Sequence, residues 1–165
     1  MADLTQTERL QPCLLDRLTD HAPGQKMESR NERVLSMAKY REGVLRDLFW
    51  LINASNHLPS EGLSDYPEVE KSVLNFGTRN LCGVLSENLD VRGYEAEVEK
   101  AIEFFEPRIN SRSLKVRGAD RSGQTEKHVL SFEIRGDLWA YPMPEQLWIQ
   151  TKVDLETGDF TIEKK

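Results

Sequence analysis

The chain has 165 residues, 38% of them hydrophobic and 30% charged, with a formal net charge of −6 and a pI of about 5.2. That length suits one domain with a modest core, and the low apolar share leaves a large surface for solvent or for partners. The acidic balance argues against nucleic acid as a partner, because phosphate backbones are bound by clustered Lys and Arg.

Residues 1–10 lack the apolar run that a signal peptide needs, so a cytoplasmic address without direct membrane contact is expected. Cys13 and Cys82 then read as free thiols of a reducing compartment. Leu14, Leu15 and Leu18 predict a helical turn or two that docks, by those leucines, onto the domain or onto something else. Residues 19–33 are polar, contain Pro23-Gly24 and read as a mobile linker. The chain thus divides into a short N-terminal helix with linker at 1–33 and a single domain at 34–165.

Over residues 34–55 the apolar side chains fall at helical spacing, with Val44, Leu48, Leu51 and Ser55 on one line and Leu45, Phe49 and Ile52 on the next. The densest apolar run, residues 48–52, is far too short to span a bilayer. Residues 59–93 hold four glycines and Pro67 and predict an ordered but irregular segment, with a short helix near 67–75 that has Pro67 in its first turn. Tyr94, Val98, Ala101, Ile102 and Phe105 mark the clearest amphipathic helix, which Pro107 ends. After Pro107 the period changes to two. Leu114 and Val116, then Leu130, Phe132 and Ile134, then Leu147, Ile149, Thr151, Val153 and Leu155 alternate with polar neighbours, and Thr157-Gly158 offers a turn to a last strand through Phe160 and Ile162. Helices first and strands second predict an α+β fold, with helices packed on one face of a small, mostly antiparallel sheet.

Little in this sequence points to chemistry. The nearest approach to a phosphate-binding loop, residues 118–125, has Gln124 where Lys is needed and a strand pattern where a helix should follow. His21, His57 and His128 have no second ligand at helical spacing, and no serine or cysteine sits in a nucleophile setting, so no metal and no cofactor is expected. Glu99, Glu103 and Glu106 recur at helical turns, where they read either as a cleft lining or as the ordinary solvated face of a helix. Phe104-Phe105-Glu106-Pro107-Arg108-Ile109 stands out as two charges bracketing a proline, at the junction of the best helix and the first strand. On residue chemistry this is either a helix stop with an intramolecular ion pair or a preorganised contact for a partner.

The order of several motifs resembles the TssE family, kin to the lysozyme-like baseplate wedge proteins of contractile-tailed phages. It is carried by Leu14-Leu15-Asp16-Arg17-Leu18, by residues 44–53, by Tyr66-Pro67-Glu68-Val69 and residues 72–77, by Leu81-Cys82-Gly83, by Ala101-Ile102 with Phe105-Glu106-Pro107-Arg108, and by residues 151–158. The resemblance implies a lysozyme-like baseplate wedge fold and a non-catalytic structural subunit of a type VI secretion baseplate. It would assemble with TssF, TssG and TssK near the sheath and the spike or tube hub. It further implies that Glu106, Pro107 and Arg108 make assembly contacts. Removing either charge is then expected to leave the fold intact, and the 128–135 and 147–155 strands are expected to pair with partner strands. The rival readings are a peptidoglycan-cleaving muramidase and a phage tail baseplate wedge protein.

Overall fold

Ser36 opens the first long helix by accepting a hydrogen bond from the Lys39 amide (3.3 Å), which satisfies one of the donors that every helix start leaves free. The helix runs Met37–Asn53 (α2) and buries Tyr40, Val44, Leu48, Leu51 and Ile52, the stripe that the apolar spacing predicts; Phe49, expected beside it, is exposed. The computed structural model describes residues 10, 13–19, 23–24, 36–56, 63, 65–118, 128–140 and 144–163. His21, His57, most of the 19–33 linker and the 119–127 loop lie outside those residues.

Before α2 stands a five-residue helix, Leu14–Leu18 (α1), none of whose residues is buried. Here the expectation of docking onto the domain through leucines fails. Leu14 is 71% and Leu18 74% exposed, and α1 is attached through Asp16 instead. After α2 the chain turns back. The Asn56 amide donates to the Thr78 carbonyl and the Thr78 amide to the Ala54 carbonyl, across a short parallel bridge of Ser55 with Thr78, and Gly77 sits there at φ +121°, where a Cβ would collide with the Ala54 carbonyl. The segment between holds a four-residue helix, Pro67–Glu70 (α3), and a 3₁₀ turn over Val73–Asn75, two short pieces where one short helix is expected.

The fourth helix, Val91–Phe105 (α4), is capped by Asp90, whose carboxylate accepts from the Gly93 amide (3.1 Å). It buries Tyr94, Val98, Ala101 and Ile102 and ends at Glu106, just before Pro107, as expected. Four antiparallel strands follow, Lys115–Gly118 (β1), Val129–Leu138 (β2), Glu145–Asp154 (β3) and Phe160–Glu163 (β4), in the spatial order β1-β2-β3-β4. Along β2 and β3 every second residue is buried, and these inward side chains share one core with those of α2 and α4. Tyr94, Phe132 and Phe160 meet at its centre with ring centroids 5.5 to 6.5 Å apart. The α+β architecture with helices on one face of an antiparallel sheet is therefore what the chain adopts.

The strands expected to receive a partner, 128–135 and 147–155, belong to β2 and β3, which are the central pair and already hydrogen-bonded over ten residue pairs. The outer strands are partly closed by side chains from the helices. On β1 the amides of Val116 and Gly118 donate to Glu99 (2.8 Å) and Glu95 (2.6 Å) of α4. On β4 the Phe160 amide donates to the Asn53 side chain (2.9 Å), which donates back to the Phe160 carbonyl (3.3 Å). Of the acidic residues read along α4, Glu99 is thus on no simple solvated face: together with Glu95 it occupies strand donors that would otherwise invite another chain. Asn53→Ala should lower stability by about 1 to 2 kcal/mol, the loss of hydrogen bonds at a helix end and a strand edge. Chemical denaturation measures that loss, and light scattering should detect more self-association of the variant than of the parent.

Candidate functional site

A helix that stops at a proline leaves its last residue outside helical geometry, and Glu106 adopts φ −126°, ψ 73° while its amide still closes the helix on the Ile102 carbonyl (2.8 Å). That conformation turns the carboxylate inward, so that Glu106 is only 3% exposed. Arg108, two residues on, folds back over it. Nε donates to Oε1 at 2.6 Å, Nη2 to Oε2 at 2.5 Å, and the Arg108 amide also reaches Oε1 at 3.2 Å. The pair is a bidentate fork within one corner. Pro107 lies at its exposed tip.

The second partner of Arg108 comes from α2, where Asp47 Oδ2 accepts from Nη2 at 2.5 Å. The other oxygen of Asp47 accepts from Arg46 at 2.9 Å, and Arg46 in turn reaches Asp16 of α1 at 2.6 Å. Cys13, at the start of α1, donates its thiol to Asp16 (2.9 Å). Five side chains of alternating sign, Asp16, Arg46, Asp47, Arg108 and Glu106, therefore run in a line from the N-terminal turn to the end of α4. Gly43 makes room for them: a Cβ there would stand 3.4 Å from Asp16 Oδ2 and 3.8 Å from Arg108 Nη1, so alanine fits and anything larger displaces one of the two.

The electrostatics follow the geometry. Burial works against the charged form of Arg108, yet its bonds to Glu106 and Asp47 outweigh burial and raise its pKa further above the ordinary range; Arg46 is raised likewise by Asp16 and Asp47. For Asp16, partial burial pushes upward, but Cys13 and Arg46 prevail and hold the carboxyl below its usual value. A depressed carboxyl stabilises the fold above the unfolded pKa and loses that contribution as pH falls through the folded one, so the attachment of α1 is fully present at neutral pH. Tyr40, buried beside the corner, is raised chiefly by desolvation, with Arg108 opposing.

An open groove of about 710 Å³ borders the corner, lined among others by Glu103, Pro107, Ile109, Arg112, Trp139 and Pro144. Trp139 is 63% exposed, and its amide donates to the Arg108 carbonyl (2.8 Å). Neither Trp139 nor the supports Asp16, Gly43, Arg46 and Asp47 is signalled as a site in the sequence; only the pairing of a Trp with the end of an alternating strand offers a hint. Among the described residues no group of three or more His, Cys, Asp or Glu side chains is placed to hold a metal, and no helix is long and apolar enough to cross a membrane.

Fold and corner together define a class: a small α+β domain built round an internally paired Glu-Pro-Arg turn, with an open groove of mixed lining at its side. A family model described as baseplate wedge protein gp25 matches residues 38–143, from the first turn of α2 through β2 and including the whole corner. The chain belongs to that baseplate wedge family, the one that the TssE resemblance indicates. No curated protein and no solved structure matches the chain.

Of the two readings of the corner, the intramolecular ion pair is present: Glu106 points inward, and most of the bonding capacity of Arg108 is spent inside the chain. Removing one member of a buried pair strands the other as an uncompensated charge, at a cost of about 3 to 5 kcal/mol. Arg108→Ala should therefore lower the melting temperature sharply, in place of the near-normal value that the sequence predicts. Gly43→Ala should be neutral or stabilising by up to about 1 kcal/mol, as for glycine in a helix interior, whereas Gly43→Leu should destabilise. Thermal unfolding of the three variants checks both statements.

Proposed function

We propose that this protein is a structural, non-catalytic baseplate subunit of a type VI secretion system. It would work in the cytoplasm, where it joins a wedge containing TssF and TssG, with TssK beyond them, to the start of the contractile sheath and the spike or tube hub. The observation that carries the reading is the family match over residues 38–143, which includes the Glu106-Pro107-Arg108 corner. Two features support it. The corner is rigid, because Pro107 is fixed in φ and both charges are held, and a rigid exposed turn loses little entropy on being bound. Beside it Trp139 stands exposed at the rim of a groove, the residue type most often found as an anchor of protein interfaces.

In this reading the partner meets Pro107, the outer edge of Arg108 and Trp139, while Glu106 serves by holding Arg108. Single-charge variants cannot test it, because they disturb the fold. A paired replacement, Glu106→Leu with Arg108→Met, removes both charges at once, and such exchanges are often neutral or stabilising in a buried pair. With Trp139→Ala as the surface partner, the test is capture of baseplate subunits by the tagged full chain from native cells. The parent should bring down TssF and TssG. Both variants should melt near the parent temperature and bring down neither. Capture of phage tail proteins instead would assign the chain to a tail, and unchanged capture by both variants would remove the corner from the interface. Labelled peptidoglycan incubated with the purified chain should release nothing above background; release that one Glu or Asp substitution abolishes would replace the structural reading with the muramidase one.

A further inference from the structure

A five-residue helix is far below the length that is stable alone in water, and α1 buries none of its own residues. Its described polar ties to the domain run through one side chain, Arg46, which holds Asp16 Oδ1 at 2.6 Å and lies 3.7 Å from the Cys13 sulfur. Arg46 is no free surface cation. It shares its charge between Asp16 and Asp47 Oδ1, and it stacks over the Trp50 ring at 5.2 Å, which fixes the plane of the guanidinium. The Asp47 carboxylate is divided in the same way, with one oxygen for Arg46 and the other for Arg108.

We propose that Asp16 is a positioning residue for Arg108, acting through Arg46 and Asp47, so that the N-terminal turn and the Glu106-Pro107-Arg108 corner are one coupled unit. The argument is a count of acceptors. With Asp16 present, Arg46 has two carboxylates and needs only one oxygen of Asp47. Without it Arg46 has Asp47 alone, and a guanidinium facing a single carboxylate draws both oxygens into a bidentate fork. The oxygen so recruited is the one that Arg108 uses. That oxygen is then shared between two guanidinium groups, so Arg108 keeps Glu106 while its tie to α2 weakens, and with it the constraint that fixes the outer edge of the guanidinium. Gly43 ties the two ends together in space, since Asp16 Oδ2 and Arg108 Nη1 both lie within 4 Å of the point its Cβ would occupy. Seating or withdrawing α1 thus sets how firmly the corner is held, although Asp16 and Arg108 are 92 positions apart in the sequence.

The coupling belongs to the free chain, and only its consequence for assembly rests on the function proposed above. It can therefore be tested without any partner. In the ¹⁵N-labelled full chain the side-chain Nη2–Hη signal of Arg108, assigned by its loss in Arg108→Lys, reports how well the edge of the guanidinium that is tied to Asp47 is held. In Asp16→Asn its hydrogen exchange should accelerate roughly tenfold, the weight of one charge-assisted hydrogen bond. The backbone amides of Val116 and Gly118, bonded to Glu99 and Glu95 of α4, should keep their protection and show that the fold is intact. Asp16→Glu should keep much of the protection, Arg46→Gln added to Asp16→Asn should abolish the acceleration because no guanidinium is left to draw on Asp47, and Leu14→Ala with Leu18→Ala should leave Arg108 as it is. The proposal is overturned if Asp16→Asn leaves Arg108 exchange unchanged. It is equally overturned if the Val116 and Gly118 amides accelerate by the same factor, because the change would then be a general loosening. Failure of the paired Glu106 and Arg108 variant to lose its baseplate partners is a separate result and bears on the assembly reading alone.

Discussion

A carboxylate at the end of a helix is in the wrong place twice over: it faces the negative end of the helix dipole, and here it is also withdrawn from water. Glu106 is tolerated because Arg108 supplies a guanidinium through two parallel bonds, and most of the site follows from that requirement. The guanidinium must itself be held, so Asp47 faces it from α2. Asp47 would crowd the helix surface with negative charge, so Arg46 shares it. The close approach of these groups to α2 leaves room there for no more than a methyl group, and Gly43 stands at that position.

Such a corner is a poor source of stability and a good source of definition. Two desolvated charges and their supports gain little net free energy over an apolar packing of equal volume. What they fix is direction, because a bidentate fork constrains both the distance and the plane of the groups it joins. The aromatic cluster of Tyr94, Phe132 and Phe160 does the complementary work at the other end of α4, where burial without direction is enough. Helix α4 thus joins a greasy anchor to a polar, oriented terminus.

Periodicity made the larger elements readable. Tyr94, Val98, Ala101 and Ile102 point to one face of one helix, and the alternation from Leu130 to Leu155 assigns the sheet and its buried side, because both patterns are imposed by local geometry. The corner was legible as a corner, since Pro107 must end a helix. Its sense was not legible. Whether Glu106 faces in or out is decided with Arg108 and its second partner Asp47, which is 61 positions from Arg108, and no local spacing reports that contact. The same limit explains α1, where three leucines read as a docking face although the docking is done by Asp16, the charged residue between them. It explains Glu99 too, whose stripe has the form of a solvated helix face until β1 is laid alongside it.

The side chains along the two outer strands change what it means to add a strand to this sheet. At an unoccupied edge an incoming backbone exchanges water for hydrogen bonds and shuts off a row of exposed donors. At β1 the donors of Val116 and Gly118 already have carboxylate acceptors, so a newcomer must first return Glu99 and Glu95 to solvent and then put its own carbonyls in their place. The number of hydrogen bonds is nearly conserved in that swap, and a neutral acceptor takes over from an ionised one. Backbone pairing alone therefore favours the lone chain, and an arbitrary extended segment finds nothing there to reward it. Only a strand whose flanking side chains re-house the two displaced glutamates, with a lysine or arginine opposite each, replaces what it removes, so the edge works as a filter read in charge.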